Sequence, residues 1–348
     1  MKKNKLFIGA LALLMAFTTA CSSKTENTTT TSQDKDTFTY AINSDPSSTN
    51  PINVSDRWGL TMTNMIYSPL IRVEGDGSLV NELAESTELA KDGLSLTVNL
   101  KKGIKWSDGQ DFTADDVVFT YETKAKKENG NFKSLWINDK PITVEKKDDH
   151  TVVFKFPEPS AAAANNIATE TYIIPKHIYG KVSDFSVKDL QEKPVGTGPY
   201  KLVENKRGEY IKFEANENYY KGKPKVKNVV LRVIQSADTT KVALQKGEID
   251  ASYVLPTDIK DLDTNKLDVY SYSENRIGYL GLNTKTNELK DVKVRQAILY
   301  ALNKGDMNKA AYLDEKYYQN PYSILPPNNP YKTDDVEKYT QNVDKATE

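Results

Sequence analysis

Histidine and cysteine, the side chains most ready for acid–base or nucleophilic chemistry near neutral pH, are few in this 348-residue chain. Two histidines, His150 and His177, and a single cysteine, Cys21, yield no Ser-His-Asp set, no HExxH zinc motif and no GxSxG elbow. The paired carboxylates Asp115 and Asp116 stand where a helix begins, and capping accounts for them there. Gly196-Thr197-Gly198 has the look of a phosphate loop but lacks the following Lys-Ser/Thr. It reads instead as a turn, or as a place where another group approaches the backbone closely. No enzyme, metal site or cofactor is expected. What remains is non-covalent recognition and one thiol.

The thiol has a telling position. Lys2, Lys3 and Lys5 form a positive start, Leu6 to Phe17 an apolar run of secretory-signal length, and Thr18-Thr19-Ala20 a small-residue stretch before Cys21. The run is too short to read as a membrane span. The arrangement resembles a bacterial lipobox, although Thr18 stands where leucine is usual. Residues 1–20 are therefore expected to be a lipoprotein signal peptide, and Cys21 the lipidated N-terminus. Two fatty acyl chains of palmitate type suffice for stable anchoring to a cell membrane. Ser22 to Asp36 holds no apolar residue, so residues 21–36 should form a flexible tether reaching roughly 20 Å.

The rest of the chain bounds its partners. It carries 47 basic and 48 acidic residues, intermixed, for a net charge of −1, which argues against nucleic acid. A mean hydropathy of −0.61 and the lack of a later apolar run argue for a soluble body, and its length for more than one domain. Phe38, Tyr40 and Ile42 alternate as in a strand. Leu89 to Leu100 reads as a hairpin about Asp92-Gly93. Thr113 and Asp116 begin a capped helix whose apolar face includes Val117, Val118 and Tyr121. Val152, Phe154 and Phe156 alternate again. Val229 to Ile234 reads as a strand buried on both faces, Ala237 to Lys246 as a helix stopped by Gly247, and Ile249 with Ala251 as another strand. That order is a βαβ unit of an α/β sheet. Val294, Ile298 and Leu302 predict an amphipathic helix.

Five phrases, in this order, carry a resemblance: Gly103 to Phe119 (GIKWSDGQDFTADDVVF), Pro194 to Tyr200 (PVGTGPY), Asn218 to Pro224 (NYYKGKP), Ala243 to Asp250 (ALQKGEID) and Val294 to Ile298 (VRQAI). Together they resemble the bacterial extracellular solute-binding proteins of family 5, the peptide/nickel type. The resemblance implies an α/β, periplasmic-binding-protein-like class II clamshell with an inserted α+β subdomain in lobe I. Lobe I would comprise 37–57 and 166–272, the insertion 58–165, and lobe II would start at 273–348. Only part of the family's second lobe would then be present, so that binding by this chain alone would be weak.

The implied function is a lipid-anchored, extracytoplasmic substrate-binding protein of a peptide ABC importer, a monomer whose permease and ATPase subunits are separate chains. A pheromone or nickel-complex binder of the same family, or a vestigial surface lipoprotein, is the alternative. Segments that relatives place at the interlobe face supply candidate ligand contacts: Asn50, Trp58, Tyr67, Trp136, Thr169, Glu170, Tyr172, Thr197, Asn275, Arg276, Tyr279 and Asn283. Glu170 would meet a ligand amine or basic side chain, and the peptide would bind as an added strand between tolerant pockets.

Overall fold

The computed structural model describes residues 36–348 except 49, 53, 76, 130, 131, 161, 169, 170, 183–191, 273, 275, 321, 328 and 330. The signal peptide at 1–20, Cys21, its tether as far as residue 35, Thr169, Glu170 and Asn275 therefore lie outside the described residues. In chain order the strands are β1 (Thr37–Ile42), β2 (Ile71–Val73), β3 (Leu79–Asn81), β4 (Ala84–Leu89), β5 (Ser95–Leu100), β6 (Trp136–Ile137), β7 (Lys140–Pro141), β8 (Thr143–Asp148), β9 (Thr151–Lys155), β10 (Tyr200–Lys206), β11 (Tyr210–Ala215), β12 (Asn228–Val233) and β13 (Ala251–Ser252). The helices used below are α1 (Arg57–Ile66), α2 (Ala114–Lys124), α3 (Ala237–Gln245), α4 (Val292–Ala301), α5 (Lys304–Tyr312) and α6 (Val343–Thr347).

A five-stranded sheet runs in the order β10-β11-β12-β1-β13. Its central part is parallel, with β1 flanked by β12 and β13, while β10 and β11 are antiparallel. One face buries Ile42, Ile211, Phe213, Val229 and Leu231 against Trp58, Met62 and Ile66 of α1. The other buries Ala41, Ile234 and Ile249 against Ala243 and Leu244 of α3. This is the expected α/β layering. β12, however, alternates: Val229 and Leu231 are buried while Val230 and Arg232 are half-covered. The nine-residue α3 is too short to roof the second face, and Arg232 uses the opening to pair with Glu248.

The segment between α1 and β10 builds a second core on the antiparallel sheet β4-β5-β9-β8. Asp92-Gly93 closes the β4–β5 hairpin, with Gly93 at φ +68°. Leu96, Val98, Val152 and Phe154 face Val117 and Tyr121 of α2. The α2 start is the expected capping box: Thr113 accepts from the helix backbone and Asp116 accepts from the Thr113 N–H.

α2 also grips the chain as it returns to the first sheet. Asp116 accepts from Lys176 N (2.8 Å), Thr120 Oγ1 from Ile174 N (3.0 Å), Tyr121 donates to Ile167 O (2.7 Å), and buried Lys124 donates to Thr171 Oγ1 (2.9 Å). Spacings of four place 116, 120 and 124 on one helix face, so this polar seam runs the helix length. The Pro194–Tyr200 phrase makes a similar joint. A Cβ on Gly196 would overlap the Ile66 carbonyl, and Gly198 N donates to that carbonyl at 2.8 Å. Here glycine serves close approach, one of the two uses expected for this phrase.

Beyond Ile249 no described residue is buried. α4 forms where Val294 and Ile298 predict it, with Val294 40% exposed. α6 packs beside α4, with Asn342 N donating to Tyr300 O and Gln296 to Tyr339. Among the described residues no helix is long and apolar enough to cross a membrane.

Candidate ligand-binding site

The three parallel strands end together, at Ile42, Val233 and Ser252, along one edge of the sheet. In open α/β sheets ligands are taken where loops leave such carboxyl ends. Asn43, directly after β1, accepts from Trp58 Nε1 at 2.6 Å, and the Tyr40 ring lies 6.2 Å from the Trp58 ring. Tyr253 directly follows β13. The Arg57 guanidinium lies 4.7 Å from the Tyr253 ring centre and 5.6 Å from that of Trp58.

From there Arg57 reaches the segment beyond. Its Nη2 donates to Glu274 Oε1 at 2.7 Å and meets the Tyr272 hydroxyl at 3.4 Å. Arg276 Nη1 approaches the other Glu274 oxygen at 3.6 Å. The base is held by Asp56, the N-cap of α1, which accepts from Gly59 N and from the Ser47 hydroxyl. Burial raises the Tyr40 and Tyr253 hydroxyls above the ordinary tyrosine range, with Tyr272 adding to the first and Glu274 to the second. Burial alone would lower Arg57, but the Glu274 hydrogen bond and charge outweigh it and raise it. At neutral pH the cluster therefore presents neutral hydroxyls, aromatic faces and fixed guanidinium charge.

Of the residues singled out from sequence, Trp58 and Arg276 join this cluster. Tyr67 is buried, its hydroxyl 3.0 Å from that of Tyr179, and Tyr172 lies in the same core. Asn50 is buried and shapes a turn by accepting from Ile52 N. Thr197 is buried at the glycine joint, its Oγ1 without a partner among the described residues. Tyr279 is 84% exposed, and Asn283 caps a turn by accepting from Lys285 N. Trp136 begins β6 rather than lying in an open loop. It donates to Ala125 O at 2.8 Å and packs in the second core, apart from the cluster. The structure thus places these candidates in several environments, and Tyr40, Arg57, Tyr253, Tyr272 and Glu274 are additions to them. The adjacency of Arg57 and Trp58 at a helix start was the available signal. Among the described residues no group of three or more His, Cys, Asp or Glu could hold a metal ion; His177 instead pairs with Asp108 at 2.8 Å.

Residues 78–348 match the family described as bacterial extracellular solute-binding proteins, family 5. The oligopeptide-binding protein AppA of Bacillus subtilis is 35% identical, over 99% of this chain and 66% of its own length. The substrate-binding protein CtaP of Listeria monocytogenes superposes with a TM-score of 0.82 at 37% identity, covering 89% of this chain and 63% of that one. AppA of Bacillus subtilis solved with a nonapeptide gives 0.73 at 30% identity, covering 89% and 62%. The chain thus spans less than two thirds of the length of these relatives. Family match, sequence identity and superposition agree, and the chain belongs to the bacterial extracellular solute-binding proteins of family 5.

Proposed function

We propose that this chain is the lipid-anchored, extracytoplasmic substrate-binding component of a peptide ABC importer, capturing oligopeptides and handing them to permease and ATPase subunits on separate chains. The observation that carries the reading is the convergence of Tyr40, Arg57, Trp58, Tyr253 and Glu274 at the carboxyl edge of the parallel strands. Aromatic faces and fixed charge suit a ligand of mixed side chains. Relatives described as oligopeptide- and dipeptide-binding support peptide as the class. Isothermal titration with an oligopeptide mixture tests it: saturable heat is expected. Its absence, with binding of a nickel–histidine complex instead, would overturn the peptide reading in favour of the ligand seen in NikZ from Campylobacter jejuni, 28% identical.

Anchoring through Cys21 belongs to the same proposal. Metabolic labelling with an alkyne fatty acid is expected to mark the wild-type chain and not Cys21→Ala, with the variant leaving the membrane fraction. So does the division into lobe I (37–57 and 166–272), insertion (58–165) and the start of lobe II (273–348). The packing of α1 into the first core favours counting the insertion from about residue 70, where Leu70 enters the second core.

A further inference from the structure

Arg57 holds more hydrogen-bonding capacity than the fold uses. A guanidinium has five N–H donors in a rigid fork. Nη2 serves Glu274 and Tyr272, while Nε and Nη1 have no hydrogen-bond partner among the described residues. The side chain is 38% exposed, so part of it is open to a ligand. Its place is nevertheless defined, because Trp58 and Tyr253 lie against it and Glu274 holds one end. The charge balance points the same way. Glu274 is shared by two guanidinium groups, Arg57 and Arg276, and so leaves one positive charge of the trio uncompensated.

We infer that Arg57 is a specificity-determining residue that receives a carboxylate of the ligand on its Nε and Nη1 edge, with Arg276 supplying the second positive charge. The inference rests on the peptide-binding reading and narrows it to ligands whose carboxylate reaches this edge. A carboxylate on a guanidinium fork makes two parallel charge-assisted hydrogen bonds. A held guanidinium loses less conformational freedom in forming them than a free one. Two sources carry the same chemistry, the peptide's own terminus and an acidic side chain.

Isothermal titration of the full chain separates them. Four probes are used: tetra-alanine as free acid and as C-terminal amide, and the amides of Ala-Ala-Glu-Ala and Ala-Ala-Gln-Ala. The carboxylate member of one pair is expected to bind at least about tenfold tighter than its neutral counterpart. The first pair identifies the terminus and the second the side chain. Arg57→Gln is expected to erase that preference and Arg57→Lys to retain part of it, since lysine keeps the charge without the fork. Glu274→Gln, which removes the competing carboxylate at nearly constant shape, is expected to strengthen it, and keeps the test decisive should Arg57→Gln fail to fold. A preference that is absent, or unchanged in Arg57→Gln and Glu274→Gln, would overturn the inference while leaving peptide binding intact. No heat with any of the four probes would overturn both.

Discussion

Glu82 shows how a single carboxylate can hold two parts of this molecule together. It is 5% exposed and receives Tyr220 Oη at 2.7 Å, Arg72 Nε at 3.0 Å and the Lys221 ammonium. Two of these donors come from the Asn218–Pro224 phrase, so that phrase ties the chain after β11 to the β2–β3 layer. Burial alone would raise the Glu82 carboxyl, but the hydrogen bonds from Lys221, Tyr220 and Arg72 prevail and hold it below the ordinary glutamate range. Its folded value is depressed. The stabilisation is therefore present above the unfolded value, about 4.3, and is lost as pH falls through the folded one. Glu82→Gln is expected to cost about 1–3 kcal/mol near neutrality and to make stability fall less steeply on acidification, as read by urea unfolding across that range. Asp116 works in the opposite direction: burial raises its carboxyl despite N–H donors from Thr113 and Lys176. Its neutral form is favoured in the fold, and part of the acid loss is offset there.

Helix α2 carries the next level of argument, because it caps itself at one end and clamps the returning chain along its length. Thr113→Ala removes half of the capping box and is expected to cost about 1 kcal/mol. Thr120→Val conserves shape but leaves the buried Ile174 N–H without its acceptor, for an expected loss of about 1–3 kcal/mol. Thermal unfolding of both variants checks the order. At the glycine joint, Gly196→Ala must push the main chain away from Ile66; a loss of about 1–3 kcal/mol is expected, measured as a lower urea midpoint. Elements such as these were readable in advance where their cause is local. Thr113 with Asp116, Asp92-Gly93 and Gly247 each set a cap or turn through neighbours within four residues, and each appears in the structure. The seam at 116, 120 and 124 was not readable, since its partners lie 60, 54 and 47 residues onward. Most of the candidate cluster escaped for the same reason, only Trp58 and Arg276 having been singled out. Arg57 and Glu274 are 217 positions apart, and no periodicity links them. Val229 to Ile234 looked buried on both sides because its apolar content is high, whereas the length of α3 decides how much of one face is covered.

At the scale of the whole molecule, three apolar clusters among the described residues stand on the two larger sheets, with the aromatic and charged cluster at the carboxyl edge of the parallel strands. Ligand arrival at that edge is expected to slow hydrogen exchange in 253–276 more than in β4–β9, measured with the oligopeptide mixture; equal protection of both regions would place the ligand elsewhere. The order of strands has a further consequence, in time rather than in space. β1 is among the first described segments of the chain, yet its neighbours are β12 and β13, so Thr37 pairs with Asn228 and Tyr40 with Ala251. As the chain emerges from the ribosome, the strand at the centre of this sheet has neither partner until some two hundred further residues have followed. Pairings so distant make closure slow, and refolding from denaturant is expected to reach completion in seconds rather than milliseconds. On the proposed route across a membrane this delay is useful. A sheet that cannot close around its first strand keeps the chain threadable while its leading end is already being exported.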